Sequence, residues 1–113
     1  MRRFVCLLLI CLFLCGAAPQ AGGIPRIYNV TLTNANQEYS QTLTGRVYQV
    51  NIQCRTASDV KLALSSGASG TTYFTIKSGM VYYEQIISSS SITVYLQSAT
   101  AGVVVEILAW SEN

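Results

Sequence analysis

Val47-Tyr48-Gln49-Val50-Asn51-Ile52-Gln53-Cys54-Arg55 is the stretch that decides the fold. Tyr48, Val50, Ile52 and Cys54 fall on one side of an extended chain; Gln49, Asn51, Gln53 and Arg55 fall on the other. Successive strand side chains point to opposite faces, so this alternation predicts a strand with one buried face and one wetted face. Helical spacing would scatter the four apolar residues around a cylinder. Neighbouring segments repeat the pattern, which places this strand centrally in a sandwich of two sheets.

Toward the N-terminus, residues 27–33 alternate with Tyr28, Val30 and Leu32 inward, and 22–25 read as a linker. Asn34-Ala35-Asn36 reads as a turn, 37–43 as a weaker strand with Tyr39 and Leu43 inward, and Thr44-Gly45-Arg46 as a second turn. Toward the C-terminus, 59–64 group Val60, Leu62 and Leu64, and 65–72 form a long polar loop. Residues 73–77 pair Phe74 with Ile76, Ser78-Gly79 turns, and 81–87 set Val81, Tyr83 and Ile87 on one face. After a serine loop at 88–91, residues 92–97 align Ile92, Val94 and Leu96. The closing segment 103–110 has Val103, Val105, Ile107 and Ala109 on one face and Val104, Leu108 and Trp110 on the other. Both faces of that strand are apolar apart from Glu106, so it is expected to be covered on both sides or to face a partner. The sum is about eight short strands with turns every 8 to 12 residues, the pattern of a single antiparallel β-sandwich, jelly-roll or Ig-like.

The sandwich is expected over residues 24–113, with a leader and linker over 1–23. Arg2 and Arg3 precede an apolar run ending at Cys15, then Gly16, Ala17 and Ala18, the layout of a secretory signal peptide. An uncleaved anchor and an apolar tail docked into a larger assembly are the other readings. The run is shorter than the ~20 residues of a membrane-spanning helix, and no membrane contact is expected once it is removed. Setting aside Arg2 and Arg3, the seven basic residues become five, against five acidic ones. A neutral domain without a basic cluster gives no footprint for nucleic acid. Cys6, Cys11 and Cys15 lie in the leader, which leaves Cys54 as a lone, buried, unpaired core residue.

Catalytic chemistry is not expected. The chain has no His, the commonest general base and metal ligand. Asp59 is its only Asp, and its four Glu show no pairing. No metal-binding or phosphate-binding spacing is present, so no catalytic residue, metal or cofactor is assigned. Asn29-Val30-Thr31 matches the glycosylation acceptor but lies within a strand and is read as chance. Among seven tyrosines, Tyr82 and Tyr95 oppose the apolar sets of their strands. Both are therefore expected to be exposed and are candidate ligand contacts, together with loop 65–72.

Glu38-Tyr39-Ser40-Gln41-Thr42-Leu43, residues 50–55, Asp59-Val60-Lys61-Leu62, Tyr73-Phe74-Thr75-Ile76 and the ending 94–98 through 102–110 together resemble small β-sandwich proteins of tailed bacteriophages. The resemblance runs from Tyr28 to Trp110 and includes no diagnostic functional motif. It implies a non-enzymatic accessory virion protein, of decoration or tail type, located in the virion and partnered by itself or by virion components. Its expected interface is Val104, Leu108 and Trp110, and a homo-oligomer is expected. The alternative is a secreted or periplasmic module that binds glycans or a cell surface through Tyr82, Tyr95 and loop 65–72.

Overall fold

Short alternating segments cannot bury an apolar face alone, so each must pair laterally and stack on a second layer. In the computed structural model, which describes residues 23–85 and 90–112, eight of them do so. They are β1 (Ile24–Leu32), β2 (Tyr39–Leu43), β3 (Arg46–Cys54), β4 (Val60–Ala63), β5 (Phe74–Ile76), β6 (Val81–Gln85), β7 (Ile92–Gln97) and β8 (Val103–Glu112). One sheet has the order β1-β8-β3-β6 and the other β2-β7-β4-β5, with every pairing antiparallel. The fold is all-β, and the described residues contain no helix. The expected leader lies outside the described residues except for Gly23, as do residues 86–89 of the strand and loop expected there.

The two sheets share one core. Leu32, Leu43, Ile52, Leu96, Val105 and Ile107 are sealed from solvent, with Val30, Val50, Val60, Leu62, Ile76 and Val94 packed among them. β8 is the most regular strand, its ten residues alternating strictly between buried and half-buried. It runs between β1 and β3, so its inner face meets the core while flanking strands shield the sides of its outer residues. β3 is likewise interior, between β8 and β6.

Turn chemistry fixes the connections. Asn36 adopts φ 57° and donates its N–H to Ser98 O at 2.7 Å. Gly45 turns between β2 and β3 at φ 80°, where a Cβ would stand 2.6 Å from the Glu112 carbonyl oxygen. Only glycine meets both conditions. Ser78-Gly79 closes a tight turn, with Met80 N–H donating to Lys77 O at 2.9 Å.

Several strand faces differ from the periodicity reading. A register shift between Val47 and Gln49 in the β3–β8 pair puts Val47, not Tyr48, fully inside. A bulge adds one residue and reverses the alternation before it. Cys54 is a free thiol, yet half-buried rather than buried, because β3 ends there and its Sγ reaches Thr56 Oγ1 at 3.5 Å. Leu64 follows the last residue of β4 and is 67% exposed. Ile24 and Pro25, read as linker, begin β1 opposite Ser111 and Trp110.

Candidate functional site

The outer face of the first sheet is built from the alternate residues of four strands. Registers place Pro25, Trp110, Gln49 and Gln85 in one row across β1, β8, β3 and β6. Ile27, Leu108, Asn51 and Tyr83 make the next row, and Asn29, Glu106, Gln53 and Val81 a third. Val104 lies beside Thr31 at the far end of β8. Apolar groups thus cross the face diagonally among side-chain amides, with Arg55 and Glu106 as an ion pair at 3.5 Å.

The three residues expected to form an interface therefore share this face. Val104, Leu108 and Trp110 are half-buried rather than open, since β1 and β3 crowd β8 from both sides. More open apolar groups flank them: Ile27 on β1 and Val81 and Tyr83 on β6. Ile27, Asn51, Val81 and Leu108 border a depression of about 240 Å³. There Asn51 Oδ1 is shielded from solvent and accepts no hydrogen bond among the described residues. An unpaired buried acceptor loses its hydration without compensation; a donor presented by a docked partner would restore the bond.

Tyr82 and Tyr95 are not brought together. Tyr95 points away from Val94 and Leu96 on the outer face of the second sheet, half-buried between Ser40 and Ala63. Tyr82, expected to be exposed, packs against the core instead. Its pairing with Ile52 sets the phase of β6, so Tyr82 turns inward while Val81 and Tyr83, expected inward, turn out. Its ring meets Phe74 at 5.3 Å and 56°, and its hydroxyl donates to Glu84 Oε2 at 3.5 Å. Burial pushes its phenol pKa up, and the Glu84 charge adds to that.

Tyr82 does line an open cleft of about 550 Å³ with Tyr73, Phe74, Leu64 and parts of loop 65–72. That loop is held by Glu38, whose carboxylate accepts the Ser69 hydroxyl at 2.5 Å and the N–H groups of Gly67 and Ser69 at 2.7 and 3.0 Å. These donors favour the ionised form and lower the Glu38 pKa, the Ser69 hydroxyl most of all. Lys61 Nζ sits 4.6 Å over the Tyr73 ring, which fixes the far wall of the cleft. The anchoring role of Glu38 was not readable from sequence, since it joins positions 29 and 31 residues apart. Among the described residues, no group of three or more His, Cys, Asp or Glu is placed to hold a metal ion.

No protein family matches the chain. No curated protein matches it either. Among solved structures it is similar to a de novo designed double-stranded β-helix studied by solution NMR. The TM-score is 0.52 at 17% identity, over 76% of this chain and 99% of that one. At that identity the likeness is one of fold alone.

Proposed function

We propose that this chain is a non-enzymatic interaction module built on a jelly roll, working as an accessory virion protein of decoration or tail type. The strand orders β1-β8-β3-β6 and β2-β7-β4-β5 support the jelly-roll reading. Six of the seven connections between successive strands cross from one sheet to the other, and only β4 and β5 pair directly. Eight-stranded jelly rolls recur in viral capsid and lectin domains, and the sequence resemblance to phage proteins favours the virion.

The outer face of the first sheet carries the proposal. Ile27, Leu108, Trp110, Val81 and Tyr83 give it apolar anchors, and Asn51 gives it an acceptor awaiting a donor. Aromatic anchors with amide neighbours are what docking surfaces use. The domain docks by this face onto a larger assembly and associates with itself. Mass spectrometry of virus particles purified from the source host tests this: the chain should be present in stoichiometric amount. Its absence from particles refutes the virion assignment.

A second reading rests on the aromatic cleft. Tyr73, Phe74 and Tyr82 beside the Glu38-braced loop offer faces on which sugar rings stack. Under that reading the chain is an exported glycan- or cell-surface-binding module, secreted or periplasmic. Titration with oligosaccharides followed by tyrosine fluorescence would show saturable binding lost in Phe74→Ala.

A further inference from the structure

Exposed apolar surface is concentrated on one side of the molecule. Of eight large hydrophobic residues left open among the described ones, six (Leu64, Tyr73, Phe74, Met80, Val81 and Tyr83) lie on or beside β5 and β6. β6 is also the outermost strand of its sheet, hydrogen-bonded to β3 on one side only. Among the described residues no strand pairs with its other side, and an edge of unpaired N–H and C=O groups templates the addition of another strand.

Edges that stay single are blunted by prolines, charges or brevity. β1, at the opposite edge of the sheet, carries Pro25 and Arg26. β5, at one edge of the second sheet, has only three residues and is followed by Lys77, while β2, at its other edge, bears no exposed large hydrophobic residue. β6 carries no proline and, at five residues, is longer than β5. Its one charge, Glu84, already accepts the Tyr82 hydroxyl. A groove of about 480 Å³ runs beside it, bordered by Phe74, Lys77, Met80 and Tyr82.

We infer that β6 pairs antiparallel with β6 of a second copy, about a two-fold axis at Tyr83. This deepens the self-association reading given above and rests on it. The sequence of the strand selects the register. Centring on Tyr83 sets Val81 opposite Gln85, Tyr82 opposite Glu84 and Tyr83 opposite itself, and pairs all five described residues of the strand. Centring on Glu84 would set two carboxylates face to face, a destabilising like-charge pair. Centring on Tyr82 would push Gln85 past the strand onto the Gly79 turn.

In the Tyr83 register the two sheets join as β1-β8-β3-β6-β6-β3-β8-β1. Both outer faces then lie on one continuous surface, so each dimer docks twice, and bivalence strengthens docking without any new contact. A five-residue strand pair is a small contact beside the roughly 1,000 Å² in total that stable interfaces clear. The dimer is therefore expected to dissociate in the micromolar range.

The test exploits the self-pairing of Tyr83. Light scattering on the purified protein across a micromolar dilution series should show a monomer–dimer equilibrium. Tyr83→Lys and Tyr83→Glu should each be monomeric with unchanged circular dichroism, and mixing the two should restore a dimer. Amide exchange supplies a readout that needs no substitution: protection of residues 81–85 should rise with concentration while β1 stays constant. Wild type that remains monomeric with concentration-independent exchange overturns the inference. So does a dimer indifferent to Tyr83→Lys, or a mixture of the two charged variants that fails to pair. Particle incorporation is scored separately, so a monomer found in virions would refute the β6 pairing while leaving the docking proposal standing.

Discussion

The rings of Phe74 and Tyr82 meet at 5.3 Å and 56°, tying β5 of one sheet to β6 of the other. This tilted pair closes the side of the sandwich formed by β5, the shortest strand among the described residues. Tyr82 contributes packing from within, whereas Phe74 is 58% exposed and contributes mainly through the ring contact. A double-mutant cycle with Phe74→Ala and Tyr82→Ala should give a coupling of about 0.5–1.5 kcal/mol in urea unfolding. Additive effects would mean that the rings are neighbours without interaction.

Gly45 should be intolerant of any side chain. Its φ of 80° and the 2.6 Å approach of the Glu112 carbonyl to a Cβ act together. Gly45→Ala should lose more than about 1 kcal/mol, the cost of the left-handed conformation before any clash. Chemical denaturation measures it directly; an unchanged midpoint would show that the β2–β3 turn relaxes freely.

Acid should release loop 65–72 through Glu38. Its folded pKa lies below its ordinary 4.5, so the stabilisation is complete above that value and is lost as pH falls through the lower folded pKa. Asp59 follows the same sign below its ordinary 3.8, held down first by the Ser78 N–H at 2.8 Å and then by Lys77 at 3.1 Å. Asp59 is exposed and Glu38 half-buried, and the change should be gradual. Glu38→Gln should flatten the part of the stability curve that belongs to Glu38. A variant with the wild-type acid profile would assign the loop's order to other contacts.

Cys54 should behave as a slow, free thiol. It is half-buried at the end of β3 and has no disulfide partner among the described residues. Labelling of the folded protein should proceed, but more slowly than in urea, and reductant should leave the melting temperature unchanged. A reductant-sensitive melting temperature would require a disulfide.

Strand existence was legible because alternation is local: Val50, Ile52, Val94, Leu96 and the odd residues of β8 point inward as their spacing requires. Phase was not legible where two apolar residues adjoin. In Val81-Tyr82-Tyr83 either face is acceptable by composition, and the pairing of Tyr82 with Ile52, a non-local event, decides between them. Val47 and Tyr48 present the same ambiguity, resolved by the bulge against β8. Sheet order was equally out of reach, since β1 finds its partner β8 at the other end of the domain. The candidate interface on β8 could be placed on one face by periodicity; that β1 and β3 would crowd it to half-burial could not.

The outer face of the first sheet is the proposed docking surface. Leu108→Lys places a charge at the centre of that face, beside Ile27 and Asn51, without touching the core built by Val105, Ile107 and Ala109. Co-sedimentation with virus particles lacking the chain, purified from the source host, is the decisive measurement, with circular dichroism recorded on each protein. Wild type should pellet with the particles, while Leu108→Lys should stay in the supernatant with its β spectrum intact. A folded Leu108→Lys variant that pellets as fully as wild type would contradict the account.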